Sequence, residues 1–405
     1  MKILFLSRWF PSPPDNGSKI RVLHLLDGLA QVHQVDLISF SDRPEVDAAA
    51  AEAYAAESGC RSVKVVPWKN FDPGSRRAAL GLFTLQPRSV LDTYSPVMEA
   101  EIRTALAAQD YDLVITSQWQ MNAYRKCFAR TPTLMEEIEV GVTHGHFADA
   151  HSAPAKLRSG LTWLKHRAYL AGLLDGSQPC TVVSAEEKQL LLKIVPEHTA
   201  IHVIPNGLQL RDYLRYDEEP EPNSLIFTGS FRYRPNYEAM VWFIEQVYPR
   251  IRAEIPDVHL RITGDHAQLP LPNYDGVTLT GYVDDVRTLI RRSWVSLAPL
   301  LTGGGTRLKI LEAMALRTPV VSTSKGVEGL DAVAGSQILT ADAPEKFAQE
   351  TIRLLRDRDL RAKIAANGFE VVRCKYDWQI IMPAFLEIVE QAADSRKIGV
   401  PRATV

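Results

Sequence analysis

The stretch that most narrows what this chain can fold into is Ser296–Thr323, SLAPLLTGGGTRLKILEAMALRTPVVST. A short apolar run, Val295–Ala298, leads into three consecutive glycines, Gly303, Gly304 and Gly305. Thr306 is placed to cap a helix over Arg307–Leu316, whose residues are good helix formers without a breaker. Arg317-Thr318-Pro319 ends that helix, and Val320–Ser322 reads as a strand. Strand, glycine loop, helix and strand in that order predict a βαβ unit and a parallel sheet. Glycines ahead of a helix N-terminus expose bare backbone N–H groups, where the dipole favours an anion such as phosphate. Lys309 and Glu312 are three residues apart and share a face. Glu312 lies roughly 9 Å along the axis from Thr306, at about 1.5 Å per residue. Phosphates at the helix end and ribose hydroxyls at the carboxylate fit that spacing. A buried βαβ unit with a solvated Lys–Glu pair fits the same residues.

The rest of the chain repeats this grammar. Residues 2–7 form a strand, Arg8–Lys19 a loop with three prolines, Ile20–Ala30 an amphipathic helix and His33–Phe40 a second strand. A helix over Val46–Ser58 and a strand near Val63–Pro67 follow, then a less regular Asn70–Met98 carrying Arg76, Arg77 and Arg88 among leucines. Asp112–Thr116 is a strand, so Gln118 and Trp119 in the loop at its carboxyl end are acceptor-site candidates. Thr133–Met135 leads into Glu136-Glu137-Ile138-Glu139, with His144 and His146 close behind, a group suited to general-base or acceptor-hydroxyl work. The two histidines lack metal-ligand spacing and no metal is assigned. Ala155–Leu174 has Leu157, Leu161, Leu164 and Tyr169 at near-helical spacing, flanked by Lys156, Arg158, Lys165 and Arg167. Such a helix packs on its own domain or lies on an anionic membrane. Ser184 and Glu187 fit a capping box, Pro205-Asn206-Gly207 a turn, and Arg211–Asn223 a linker. Beyond it, Leu225–Thr228 is a strand entering Gly229-Ser230, and Tyr237–Ala253 a long helix. His259–Gly264 and Val277–Leu279 are strands, Asp284–Arg292 a helix. Helices over Glu345–Leu355, Leu360–Tyr376 and Asp377–Ala392 close the chain, with a basic tail at Ser395–Val405.

Taken together, these motifs resemble the GT-B glycosyltransferases of family four, the glycosyl transferases group 1. Glu312-Ala313-Met314-Ala315 and Thr318-Pro319-Val320-Val321 match the donor-site signature, and Gly303–Lys309 is similar to a bacterial exopolysaccharide-type subgroup. The family's earlier glutamate would fall at Gly304 and is absent. The resemblance implies two Rossmann-like doubly wound α/β domains facing across a cleft: residues 1–208, completed by a helix over 377–395, and a donor-binding domain over 222–375. It implies sugar transfer from a nucleotide-diphosphate sugar, UDP- or GDP-linked, to a carbohydrate or lipid-linked acceptor hydroxyl. Glu312 would hold the ribose. Gly17, Gly229, Ser230, Arg232, Arg234, Gly264 and the run Gly303–Lys309, including Leu308, would line the donor. Tyr282 and Val283 would meet the base. Lys309 and Arg234, the favoured one of the two arginines, would neutralise the departing diphosphate without a metal or other cofactor. Retention of configuration is the family's habit. With Gly304 in place of a glutamate, Glu136 or Glu139 could instead serve as a base in an inverting variant. A nucleotide-sugar 2-epimerase and a non-catalytic nucleotide-sugar-binding subunit are the alternatives.

Composition adds exclusions. The 405 residues carry a formal net charge of −2, which gives no field for nucleic acid. No apolar run reaches the length of a transmembrane helix, and the start of the chain does not read as a signal peptide. Cys60, Cys127, Cys180 and Cys374 are spaced neither for zinc nor for a disulfide framework. A cytoplasmic protein is expected, with peripheral contact at the inner face of the plasma membrane through 155–174 as the alternative to packing of that helix on its own domain.

Overall fold

The computed structural model describes residues 1–150, 152–174, 176 and 178–394. The chain forms two compact units, Met1–Pro205 with the residues from Met382 onward, and Asn206–Ile381. The predicted tail, Ser395–Val405, lies outside the described residues.

The first unit is built on seven strands: β1 (Lys2–Ser7), β2 (Gln34–Ser41), β3 (Ser62–Pro67), β4 (Leu113–Ser117), β5 (Thr133–Glu136), β6 (Cys180–Val182) and β7 (Ile201–Val203). They pair in the order β3-β2-β1-β4-β5-β6-β7, all parallel. Ile3, Leu4, Phe5 and Leu6 are fully buried in sequence, as expected of a strand covered by helices on both faces. The first helix, Gly17–Ala30, begins three residues earlier than the periodicity indicates, because the Asn16 side chain caps it by accepting from the Lys19 N–H at 3.1 Å. Val22, Leu25, Leu26 and Leu29 are its buried face. A helix over Pro96–Ala108, capped by Ser95, escaped the sequence reading, which left Asn70–Met98 irregular and went straight to β4.

The second unit has six strands: β8 (Glu221–Thr228), β9 (His259–Thr263), β10 (Val277–Gly281), β11 (Ser293–Ala298), β12 (Val320–Ser322) and β13 (Leu339–Thr340). Their order, β10-β9-β8-β11-β12-β13, is again wholly parallel. Leu225, Phe227, Val295 and Leu297 pack from the sheet onto Phe243, Tyr248 and Phe347.

Two expectations are corrected here. The helix expected over Tyr237–Ala253 is interrupted: Arg234–Trp242 and Tyr248–Glu254 flank a widened turn at Phe243–Val247. Pro249 supplies the reason, since it has no N–H to continue the ladder and its ring crowds the preceding turn. The linker is not at Arg211–Asn223. The second unit begins at Asn206, Tyr213 and Tyr216 pack on its core, and β8 already starts at Glu221. Gly207 is needed for more than a turn, because a Cβ there would lie 2.6 Å from the Tyr376 carbonyl oxygen. That closeness lets Leu208 exchange backbone hydrogen bonds with Tyr376 and Trp378 at 2.7 and 3.0 Å.

Candidate functional site

In the second unit the strand order reverses between β8 and β11, and ligands of open α/β sheets bind beyond the carboxyl ends of strands at such a point. Both glycine loops emerge there. Gly229, directly after β8, has φ 145°, and Gly264, directly after β9, has φ 117°. A Cβ on Gly264 would stand 2.7 Å from the Gly229 carbonyl carbon, so these loops touch backbone to backbone. A Cβ on Gly229 would in turn stand 2.8 Å from the Lys309 ammonium and 2.6 Å from the Asn236 amide nitrogen.

Those two side chains form the centre of the site. Lys309 Nζ donates to Asn236 Oδ1 at 2.8 Å and lies 4.0 Å from the centroid of the Phe227 ring. Asn236 is held by donating from its amide to the Ser230 carbonyl at 2.8 Å. Burial pushes the Lys309 ammonium down to about 7, the neighbouring Arg307 guanidinium adds to this, and the Glu312 carboxylate opposes it. Arg307 is buried and donates to the Gly304 carbonyl at 2.6 Å, which braces the glycine loop from inside. Gly303 and Gly305 have φ of 95° and 82°, values that a side-chain-bearing residue adopts only under strain.

The helix after the loop spans Leu308–Ala315, one residue shorter at each end than expected. Thr306 is not its cap: the Thr306 hydroxyl accepts from Asn206 Nδ2 at 3.0 Å, and no side chain caps the first turn. Of the first-turn N–H groups, Leu308 donates to the Thr306 carbonyl at 3.0 Å and Ile310 to the Arg307 carbonyl at 2.9 Å. Glu312 is partly buried one turn along, and it pairs not with Lys309 but with Tyr213, whose hydroxyl donates to it at 3.3 Å. Burial raises the Glu312 carboxyl above its ordinary range, while the Tyr213 hydrogen bond and the Lys309 and Arg287 charges pull the other way. Arg287 stacks over Tyr213 and Tyr216 with its guanidinium carbon 5.6 and 5.0 Å from their ring centroids. Asp285 holds Arg287 at 2.8 Å and accepts from the Tyr216 hydroxyl. Asn236, Tyr213 and Arg287 escaped the sequence reading. The one available signal was that two tyrosines stood out in an otherwise polar segment.

The two donor-loop arginines differ from expectation. Arg232 pairs with Asp265 and Arg234 with Glu238 at 3.0 Å, both largely exposed, so neither points into the site as Arg234 was expected to. For Arg234 the cause is local: it opens the helix Arg234–Trp242 and finds Glu238 one turn along. Tyr282 and Val283 follow Gly281, which has φ 74° and ends β10. Tyr282 is 76% exposed. The helix expected at Asp284 starts only at Arg287, because the Asp285 carboxylate takes the Arg287 N–H in a turn.

In the first unit the order reverses at β1 and β4. Glu136 ends β5, fully buried; Arg21 donates to it at 2.6 Å and Ser117 at 2.9 Å. That pairing corrects its candidacy as a free base, since its lone pairs are committed to a cation from the first helix. The next residue, Glu137, has φ 55°, and Gln118, after β4, has φ 70°. Gln118 Nε2 reaches Glu137 Oε2 at 3.2 Å and the Ser18 hydroxyl at 3.4 Å. Ser18 follows Gly17, the first residue of the first helix. Two neighbouring non-glycine residues in this conformation are a concentration of backbone strain, which stable folds keep mainly where a site needs it. Burial and the Glu136 charge raise the Glu137 carboxyl above its ordinary range. Glu139 is raised to about 7 by burial and then by the Glu187 carboxylate.

Trp119 is corrected as an acceptor candidate: it packs against His166 and Tyr169 with ring centroids 4.8 and 6.1 Å apart. His144 and His146 lie on a helix, Gly141–Ala148, with the His144 and Trp163 ring centroids 5.3 Å apart. Only half of the capping box forms. Ser184 accepts from the Glu187 N–H at 3.2 Å, but the Glu187 carboxylate turns away to cap Val140 and Gly141 at 2.8 and 2.9 Å.

Among the described residues no helix is long and apolar enough to cross a membrane.

Comparison with known proteins agrees with this geometry. Residues 222–357, the heart of the second unit, match the family described as Glycosyl transferases group 1. Over 389 residues the chain is 22% identical to an uncharacterized 44.6 kDa protein in the cps region of Klebsiella pneumoniae, covering 93% of this chain and 96% of that one. It is 27% identical over 217 residues to the phosphatidyl-myo-inositol mannosyltransferase of Mycobacterium leprae, covering 50% of this chain and 54% of that protein. The solved structure of Anabaena Alr3699/HepE in complex with UDP superposes with a TM-score of 0.67 at 16% identity, over 96% of this chain and 100% of the other. Two wholly parallel doubly wound sheets and the likeness to the Anabaena structure give this chain the GT-B fold, and within its second unit residues 222–357 match the glycosyl transferases group 1 family.

Proposed function

We propose that the protein moves a sugar from a UDP-linked donor to the hydroxyl of a carbohydrate or lipid-linked acceptor in polysaccharide or glycolipid assembly. The observation that carries this reading is the cradle of Gly229, Asn236 and Lys309: bare backbone against a cation whose charge burial disfavours. A diphosphate restores that charge, and the positive end of the dipole of Leu308–Ala315 favours it further. As the sugar–phosphate bond breaks, negative charge grows on the leaving diphosphate, and a preorganised ammonium stabilises it without reorganisation. Lys309 does this work in place of a metal ion. Glu312, steadied by Tyr213, accepts from the ribose hydroxyls.

UDP is favoured over GDP by the likeness to the Anabaena protein solved with UDP. Two relatives support this acceptor class, one encoded in a cps region and one described as a phosphatidyl-myo-inositol mannosyltransferase. On the acceptor side Glu137, beside Gln118, is the carboxylate placed to receive a hydroxyl, with Glu139 second. Retention of anomeric configuration is carried over from the resemblance.

The test is turnover of a panel of UDP- and GDP-sugars with carbohydrate and lipid-linked acceptors, with and without a chelator, reading the product anomer by NMR. Transfer from a UDP-sugar that survives the chelator and keeps its anomeric configuration supports the reading. Release of a free 2-epimer without acceptor, or nucleotide binding with no turnover of any donor, overturns it.

A further inference from the structure

Three neighbouring strands of the first unit end on three side chains that meet. Arg8 is the first residue past β1, Asp42 the first past β2 and Trp68 the first past β3. The Arg8 guanidinium carbon lies 3.8 Å from the centroid of the Trp68 ring and 4.1 Å from that of Trp9. Arg8 Nη2 donates to Asp42 Oδ1 at 2.9 Å. The backbone around them is fastened: the Trp9 N–H donates to the Ser7 hydroxyl at 3.0 Å, and the Trp68 N–H to the Ser41 carbonyl at 2.8 Å.

The fold gains little from this arrangement by itself. Arg8 is only 6% exposed, yet its Nη1 has no hydrogen-bond partner. Folded proteins rarely keep a buried donor unsatisfied, and a buried ion pair adds less stability than apolar side chains of similar volume. Burial pulls the guanidinium below its ordinary value, and only Asp42 opposes this. What the arrangement does supply is a preset rim. Arg8 covers one face of each indole, both indoles stay partly exposed, and the Asp42 side chain is 42% exposed.

The chemistry of that rim suits a sugar ring. A pyranose presents C–H groups on its faces and hydroxyls around its edge. An indole receives the C–H face, while a carboxylate beside a guanidinium holds two neighbouring hydroxyls, accepting from one and donating to the other. A few fixed polar groups among aromatic walls are the usual make-up of a small-molecule site. An anionic ligand is disfavoured, because Asp42 already neutralises Arg8. The place is also apt, at the carboxyl ends of the strands.

Position sets the length of the ligand. In the sheet order β2, which leads to Asp42, is three strands from β5, which leads to Glu137. At about 4.8 Å per strand the two points are roughly 14 Å apart, more than one pyranose ring spans.

We propose that Arg8, Trp9, Asp42 and Trp68 form a second sugar subsite, which holds a ring of the acceptor beyond the ring that receives the transfer. The assignment rests on the glycosyl-transfer reading and deepens it, since the acceptor is then a glycan of two or more sugars.

The experiment is fluorine NMR of the full chain carrying fluorotryptophan, its seven resonances assigned by single Trp→Phe changes. The probes are the methyl glycosides of glucose, galactose and mannose and of cellobiose, maltose and lactose. The Trp9 and Trp68 resonances are expected to move, with at least one disaccharide saturating at a concentration at least about tenfold below its monosaccharide. Asp42→Asn and Trp9→Leu are each expected to weaken that binding at least about tenfold, with the thermal shift given by UDP, which reads the other unit, retained. In turnover with a UDP-sugar, disaccharide acceptors should show a lower KM than monosaccharides, a difference that Asp42→Asn removes. Resonances of Trp9 and Trp68 that no glycoside moves overturn the proposal, as does a series in which no disaccharide binds better than its monosaccharide. Turnover with equal KM for both acceptor lengths overturns it and leaves the glycosyl-transfer reading standing. Movement of both resonances in a protein that turns over no donor supports the sugar subsite and overturns the transfer reading instead.

Discussion

The ammonium of Lys309 lies 2.8 Å from the side-chain oxygen of Asn236, which the first turn of another helix presents from 73 residues away. That contact fixes where the cation sits before any donor arrives. Asn236 is in turn tied to the Ser230 carbonyl, so the loop after β8 and the helix after β11 are set as one piece. A site preorganised in this way gives electrostatic stabilisation that does not have to be assembled during the reaction.

Gly229→Ala tests the closeness of this packing. Its Cβ would meet Asn236 and Lys309 at 2.6 and 2.8 Å from a backbone at φ 145°. Nucleotide affinity is expected to fall by at least about tenfold, as one charge-assisted contact is displaced. Thermal-shift titration with UDP reads this directly, and an unchanged shift would show that the cradle does not touch the nucleotide.

Glu312→Ala is expected to weaken UDP binding by about tenfold or more, with a smaller loss for Tyr213→Phe, which removes only the supporting hydrogen bond. Calorimetry with UDP and its 2′-deoxy analogue separates ribose recognition from general damage. The wild type should discriminate between the two ligands, and Glu312→Ala should not.

The acceptor-side carboxylates predict a pH signature. Glu137 and Glu139 hold their protons more tightly when folded than an ordinary glutamate does. The folded state therefore binds more protons than the unfolded state, and stability falls as pH rises through the window up to about 7 for Glu139. Melting temperature should drop between pH 5 and pH 8, and Glu137→Gln and Glu139→Gln should each flatten part of that drop. A slope untouched by both substitutions would assign it to other groups.

What the sequence made legible was whatever one short segment contains. The glycines at 303–305, Lys309 and Glu312 stand in a single βαβ unit, so spacing alone put them on one loop and one helix face. Partners from elsewhere in the chain were not legible. Tyr213 is 99 residues from Glu312, and Arg21 is 115 residues from Glu136, the pairing that removes Glu136 as a free base. Periodicity also revealed the leucines of Ala153–Leu173 but not that Leu157, Leu161 and Leu164 are exposed while Lys165 and His166 are buried alongside Leu170 and Leu173. The break at Phe243–Val247 was readable from Pro249, which a helix accepts only with a disturbed preceding turn.

The account rests on Lys309 receiving the donor diphosphate, and calorimetric titration of UDP in buffers of different ionisation enthalpy tests it most directly. Burial leaves the ammonium at about 7, and a bound diphosphate favours its charged form and raises that value. Binding above pH 7 must then take up a proton, and UDP affinity must fall as pH rises from 7 towards 9. The account predicts proton uptake at pH 8 in the wild type, and in Lys309→Met no uptake and at least about a hundredfold weaker binding. UDP binding without proton uptake, or with equal strength in Lys309→Met, would contradict it.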